Sequence, residues 1–127
     1  MQLTREFSQA NLIRAWETGR VLIGERWLGG NLIVAADRIL DAWSATDPAA
    51  LALDELAWAI ALEPEIILVG TGEVTVLPDV ELMAQLGARA IGLEIMTTPA
   101  ACRTYNVLVH EDRRVVAALF NTPASAR

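Results

Sequence analysis

Two short stretches of this sequence carry residue types that can do chemistry at a defined spacing. The first is Gly70-Thr71-Gly72-Glu73, which follows the unbroken apolar run Ile66-Ile67-Leu68-Val69. Such a run predicts a strand buried on both faces. Open α/β sheets place ligands beyond the C-terminal ends of such strands, and paired glycines let backbone approach a ligand closely. The position that would complete a dinucleotide fingerprint is Thr75, and no lysine follows. Neither a dinucleotide loop nor a Walker-type phosphate loop is therefore present. The second stretch is Met96-Thr97-Thr98-Pro99, running on to Cys102, Arg103, Tyr105 and Asn106. Threonine before proline predicts an N-cap at Thr98 with Pro99 at the first helical position. The free N–H groups and positive dipole end of such a helix suit an anion. The hydroxyls of Thr97 and Thr98 and the guanidinium of Arg103 would lie near it. Each stretch also has an ordinary structural reading, a tight strand exit and a capped helix bearing a surface arginine.

Cys102 and His110 are the single cysteine and the single histidine. On one helix they stand roughly 12 Å apart along the axis, too far for a Cys–His catalytic pair. A buried, inert Cys102 is the expectation, and His110 beside Glu111-Asp112 reads as a favourable charge at a helix end. One cysteine and one histidine cannot build a tetrahedral zinc site, although carboxylates could hold a hard cation at the surface. No cofactor is expected. Glu94 alternates with Leu93 and Ile95 on a strand, where Arg89 or Arg103 would be its natural partner. Trp16, Trp27, Trp43 and Trp58 read as core and interface aromatics.

The elements that must position these residues change rhythm along the chain. Short apolar runs around 12–16, 20–23, 24–28 and 32–35, punctuated by Gly19, Gly24 and Gly29-Gly30, predict an antiparallel meander. A further strand is expected over 39–43. Leu53, Leu56, Ala57 and Ile60 follow helical spacing, so a helix is expected over 51–62, stopped by Pro64. After the strand over 66–69, Leu82, Met83 and Leu86 mark a short helix with Gly87 as C-cap. A strand over 91–95, a helix from Thr98 through Leu108 and a strand over 115–120 complete the pattern. Helix and strand in alternation imply parallel pairing. The expected fold is α/β: a three-layer domain with a mixed central sheet, helices on its faces and an antiparallel N-terminal part.

Length and composition agree with one domain. The chain has 127 residues, 54% of them hydrophobic and 20% charged, which excludes intrinsic disorder. A single domain over 1–127 is expected, with an ordered core over about 10–121 and a frayed tail from Thr122 to Arg127. Ten basic residues, all arginine, stand against 16 acidic ones, a net charge of −6. That balance argues against nucleic acid or an anionic bilayer as the main partner. The stretch Met1 to Phe7 lacks a secretory apolar region. The apolar stretch Leu51 to Leu62 carries Asp54 and Glu55 and is too short to span a membrane. The expectation is a cytoplasmic protein without membrane insertion.

Taken together, the motifs resemble one family. Ile67-Leu68-Val69-Gly70-Thr71-Gly72 resembles the strand–GTG motif of the Mth-domain family. Met96-Thr97-Thr98, followed by Ala100 through Leu108, is similar to its second motif, and Glu111 with Arg114 through Leu119 to its closing strand. One departure is Thr97, at a position often acidic in relatives. The resemblance covers roughly residues 10 to 121 and implies a three-layer fold with a mixed sheet. It also implies relatives that include a mitochondrial assembly factor of respiratory complex I. The leading expectation is therefore a small non-enzymatic binding or assembly module with a protein partner, assisting a respiratory or membrane-associated complex. The alternative is a small-anion binder or enzyme using one crevice between the two motifs, lined by Gly70, Thr71, Gly72, Glu73, Met96, Thr97, Thr98, Arg103 and Asn106. A homo-oligomer of structural use is a third reading.

Overall fold

A computed structural model describes residues 10–122. The tail expected to fray lies, apart from Thr122, outside the described residues. Strands β1 (Ile13–Glu17), β2 (Arg20–Ile23) and β3 (Arg26–Gly29) form an antiparallel three-stranded sheet of their own. Strands β4 (Leu32–Ala35) and β5 (Arg38–Leu40) then enter a second sheet with β6 (Ile66–Gly70), β7 (Gly92–Met96) and β8 (Val115–Leu119). Its order is β5-β4-β8-β6-β7. β6 runs parallel to both β7 and β8, while β4 runs antiparallel to β8. The central sheet is thus mixed, as expected. The apolar first third does not form one continuous meander, however, but divides between two sheets. Gly30 (φ 78) makes the turn at the division.

The apolar runs of β4, β6 and β8 are long because both sheet faces are covered. Side chains alternate between two cores. Ile33, Ile67, Val69, Val116 and Phe120 face one, where Trp43, Leu56, Leu82 and Leu86 pack. Leu32, Val34, Leu68, Ala117 and Leu119 face the other, with Val21, Ala101, Cys102 and Tyr105. The long helix and the small sheet cover that second face.

Three helical segments differ from expectation. The helix expected over 51–62 is a short 3₁₀ turn, Leu53–Leu56, followed by the single turn α1 (Ala57–Ile60), with another 3₁₀ turn, Pro48–Ala50, just before it. The Glu55 carboxylate accepts the Ala52 N–H at 3.1 Å, and Glu63 (φ 55) turns the chain out. The segment's apolar residues still reach the first core, so periodicity reported burial rather than helix length. Helix α2 (Val80–Gly87) contains Gly87 as its last residue, and the left-handed conformation falls instead on Ala90 (φ 61). Helix α3 (Thr98–His110) begins one residue early. Thr97 is its N-cap, its hydroxyl accepting the Ala100 N–H at 3.4 Å. The strand expected over 39–43 stops at Leu40, because Ala42 (φ 65) reverses the chain and sends Trp43 into the first core.

Candidate functional site

The two motifs meet where β6, β7 and β8 end beside the start of α3. Thr98 is fully buried at this junction. Its hydroxyl donates to the Phe120 carbonyl at 2.8 Å and accepts the Gly72 N–H at 2.8 Å. The Thr98 N–H donates to the Gly72 carbonyl at 2.8 Å, and the Phe120 N–H to the Gly70 carbonyl at 2.8 Å. Gly70 must be glycine for steric reasons. A Cβ there would lie 2.8 Å from Thr98 Cα and 3.1 Å from Leu119 Cδ2. Thr71 turns inward. Its hydroxyl donates to the Val74 carbonyl at 2.6 Å and accepts the Val76 N–H at 3.0 Å, closing the loop after the strand. Gly72 holds φ 96, a conformation that side-chain-bearing residues rarely adopt.

These bonds consume the polar groups that made the motifs look like a ligand site. At the start of α3, Thr98 N–H bonds Gly72, Pro99 has no N–H, and Ala100 N–H bonds the Thr97 hydroxyl. None of these three positions therefore offers an unbonded N–H to an anion. Met96 is half-buried and packs against the second core.

Arg103 and Asn106 lie elsewhere. Arg103 is exposed and borders a separate depression with Arg14, Pro99 and Cys102. Asn106 clamps the first strand: its Oδ1 accepts the Ile13 N–H at 2.9 Å and its Nδ2 donates to the Ile13 carbonyl at 2.7 Å. Beside it the Tyr105 hydroxyl donates to the Asn11 carbonyl at 2.7 Å. Burial, with Asp37 adding to it, raises the Tyr105 pKa and keeps the phenol protonated. Burial likewise pushes the Cys102 thiol up to about 12, against a small opposing effect of Arg103. A thiol so disposed is not a nucleophile at neutral pH. Glu94 is exposed, and the ion pairs of the described residues lie elsewhere, at Arg20–Glu17, Arg38–Asp37 and Glu65 with Arg113 and Arg114.

What the GTG turn does border is a cavity of about 430 Å³ that the sequence did not reveal. Thr71, Gly72 and Glu73 form one side, and Trp16 and Thr18 of the small sheet form another. Pro48, Phe120 and Asn121 are also in its wall. Among the described residues Glu73 is the one charged residue lining it, and its carboxylate accepts the Thr18 hydroxyl at 3.0 Å. No arginine among the described residues lines it. Among the described residues, two buried side-chain polar atoms lack a hydrogen-bond partner, Trp16 Nε1 and Asn121 Oδ1. Both residues belong to this wall. Sequence reasoning missed them because it carried no sign that the separate small sheet faces the end of β8. On the chain leaving the GTG turn, the apolar residues Val74, Leu77, Val80 and Met83 are exposed by 67, 71, 80 and 47%.

A mixed five-stranded sheet with a separate antiparallel sheet and a GTG junction stitched by a buried threonine defines an α/β class of small domain. The comparisons place it more narrowly. The sequence pattern of the family described as "protein of unknown function (DUF498/DUF598)" matches residues 13–120. The chain belongs to that family. It is 32% identical over 117 residues to the "13 kDa major membrane protein" of Francisella tularensis, covering 91% of this chain and 95% of that one. It is 30% identical over 127 residues to the "NADH dehydrogenase [ubiquinone] 1 alpha subcomplex assembly factor 3" of Danio rerio, covering 98% of this chain and 72% of the relative. The solution structure of a Bordetella pertussis protein described as an Mth938-like domain superposes with a TM-score of 0.76 at 28% identity, covering 89% of this chain and 87% of that one. The family resemblance read from the two motifs and the closing strand therefore holds, and the fold with it. Among the described residues no helix is long and apolar enough to cross a membrane.

Proposed function

We propose that this chain is an assembly module that binds a protein partner, acting from the cytoplasmic side on a membrane-associated respiratory complex. The observation that carries this reading is the 30% identity, across 98% of this chain, to a protein named for assembling NADH dehydrogenase. The exposure of Val74, Leu77, Val80 and Met83, all on the chain that follows the GTG turn, supports it, since exposed apolar side chains favour a protein partner. The similarity to a protein named as a membrane protein supports action close to a bilayer. The anion-binding alternative has weaker support, because the donors at the start of α3 are already bonded within the fold.

The test is genetic and biochemical. Deleting the chain from its source cell and resolving native membrane complexes should show less assembled NADH dehydrogenase and accumulated subcomplexes. Wild-type chain should restore assembly, and a folded Leu77→Asp/Val80→Asp double variant should not. Normal complexes in the deletion strain would overturn the proposal.

A further inference from the structure

We propose that the solvent face of helix α2 and the acidic depression along its flank form one docking surface for a cationic amphipathic helix, which belongs to the protein partner of the assembly reading on which this inference rests. A surface helix ordinarily sets one apolar stripe against the core and turns polar residues outward. α2 departs from that pattern. Over Val80 to Gly87, Glu81 and Gln85 alone are polar. Leu82 and Leu86, four apart, are buried in the first core. Val80, Met83, Ala84 and Gly87 stand at i, i+3, i+4 and i+7, a spacing that puts them on one helix face. All four are exposed. The helix thus carries a second apolar face that the fold does not cover. At Gly87 a Cβ would meet no atom within 4 Å, so that end of the face is open.

The flank of this face supplies the charge. Glu81 and Gln85, also four apart, form the row next to Val80 and Ala84. That row borders a depression of about 380 Å³, whose other side is the chain from Ala49 to Asp54. Asp54, Asp79 and Glu81 are in its lining, and no arginine among the described residues joins them. The ion pairs of the described residues use none of these three carboxylates. Asp79 accepts the Glu81 N–H at 3.0 Å, which caps the helix without neutralising the charge. An apolar row beside uncompensated carboxylates complements a segment with arginine or lysine beside its own apolar row, and the charges fix which way that segment lies. An extended peptide would draw its affinity from main-chain bonds to a sheet edge, which a helix face does not offer. A partner helix instead packs side chain against side chain, and the small residues Ala84 and Gly87 let it approach closely. A second copy of this chain fits badly, because a two-fold contact sets one surface against itself and brings the acidic depressions together. An anionic bilayer meets the same repulsion.

The experiment titrates isotope-labelled protein with a capped peptide of about 18 residues, long enough to hold a helix. Leucine forms one face of the peptide, arginine its flanks and glutamine the remainder. The control peptide has glutamate for each arginine. Saturable amide shifts are expected at Val80, Met83, Ala84 and Gly87 and at Asp54, Asp79 and Glu81. The control should bind at least about tenfold more weakly, since it exchanges attraction for repulsion. Glu81→Gln and Asp54→Asn should each weaken the arginine peptide by about two- to fivefold, the range of an exposed ion pair, and leave the control unchanged. Ala84→Asp, at an exposed position, should abolish the shifts of the apolar face. Equal binding of the two peptides, or shifts that miss α2, overturns the inference. So does self-association of the chain, by sedimentation, that moves the same α2 amides, which would make a second copy the occupant. Shifts at α2 on neutral phosphatidylcholine vesicles with none from the peptide would do the same for a bilayer. The peptide comparison needs no variant, so a misfolded variant leaves the test intact. If the peptides bind alike while Leu77→Asp/Val80→Asp still abolishes assembly, the docking inference falls and the assembly reading stands. Normal complexes in the deletion strain would strike the assembly reading and leave the peptide result in place.

Discussion

Replacing Thr98 by valine should damage this protein more than replacing it by serine, although valine conserves the volume. The Thr98 hydroxyl is both donor and acceptor in the buried junction, to Phe120 and from Gly72, each at 2.8 Å. Thr98→Val leaves the Phe120 carbonyl and the Gly72 N–H without that partner. Phe120 is 1% exposed, so its carbonyl has little water to turn to. An unsatisfied buried group costs about 1–3 kcal/mol, and Gly72 is only half-buried, so a total of about 3 kcal/mol is expected. Thr98→Ser keeps both bonds and loses one buried methyl, about 1 kcal/mol. At roughly 3–6 °C per kcal/mol for a domain of this size, the valine variant should lose about 10–15 °C in Tm and the serine variant about 3–6 °C. Urea unfolding at neutral pH gives the free energies directly, and amide exchange should show Gly72 deprotected in the valine variant alone. A valine variant as stable as the serine variant would refute the claim that this hydroxyl is a structural stitch. It would return Thr98 to the pool of groups available to a ligand.

Further predictions come from the same structure. Gly70→Ala places a Cβ 2.8 Å from backbone at Thr98 and should cost about 2–3 kcal/mol as overpacking. Gly87→Ala, with open space around the new atom, should be neutral or stabilising by up to about 1 kcal/mol; paired thermal melts check both. Cys102 and Tyr105 hold their protons more tightly when folded, the thiol rising from 9.0 to about 12 through burial. Their contribution is complete below the unfolded thiol's pKa and is lost as pH rises through the folded value. Urea midpoints should therefore fall between about pH 8 and about pH 10.5, and less steeply in Cys102→Ala; native protein should also resist iodoacetamide at about pH 8 and label once unfolded.

The sequence by itself determined the parts of this protein in which one local pattern has one physical solution. Ile66 to Val69 is apolar at every position, which only a strand covered on both faces satisfies, and it became the middle of the parallel ladder. The threonines before Pro99 announced a helix start to within one residue, because capping is a property of a few neighbouring groups. The GTG and Met-Thr-Thr motifs, with the closing strand after Glu111, were enough to identify the family. Tertiary structure decided what the sequence leaves open. The segment from Leu51 to Leu62 has helical spacing, yet its apolar residues reach the core through one 3₁₀ turn and a single α turn. Periodicity specifies which side is buried, and several backbones present the same side. Arg103 and Asn106 lie close to Thr98 in sequence, but the helix carries them away from the GTG turn, Asn106 to β1 and Arg103 to a second depression. Trp16 and Asn121, 105 positions apart, meet at one cavity because the small sheet folds over the end of β8. Contacts of that kind depend on how two sheets pack, and packing is a property of the whole chain, which no local window of residues contains.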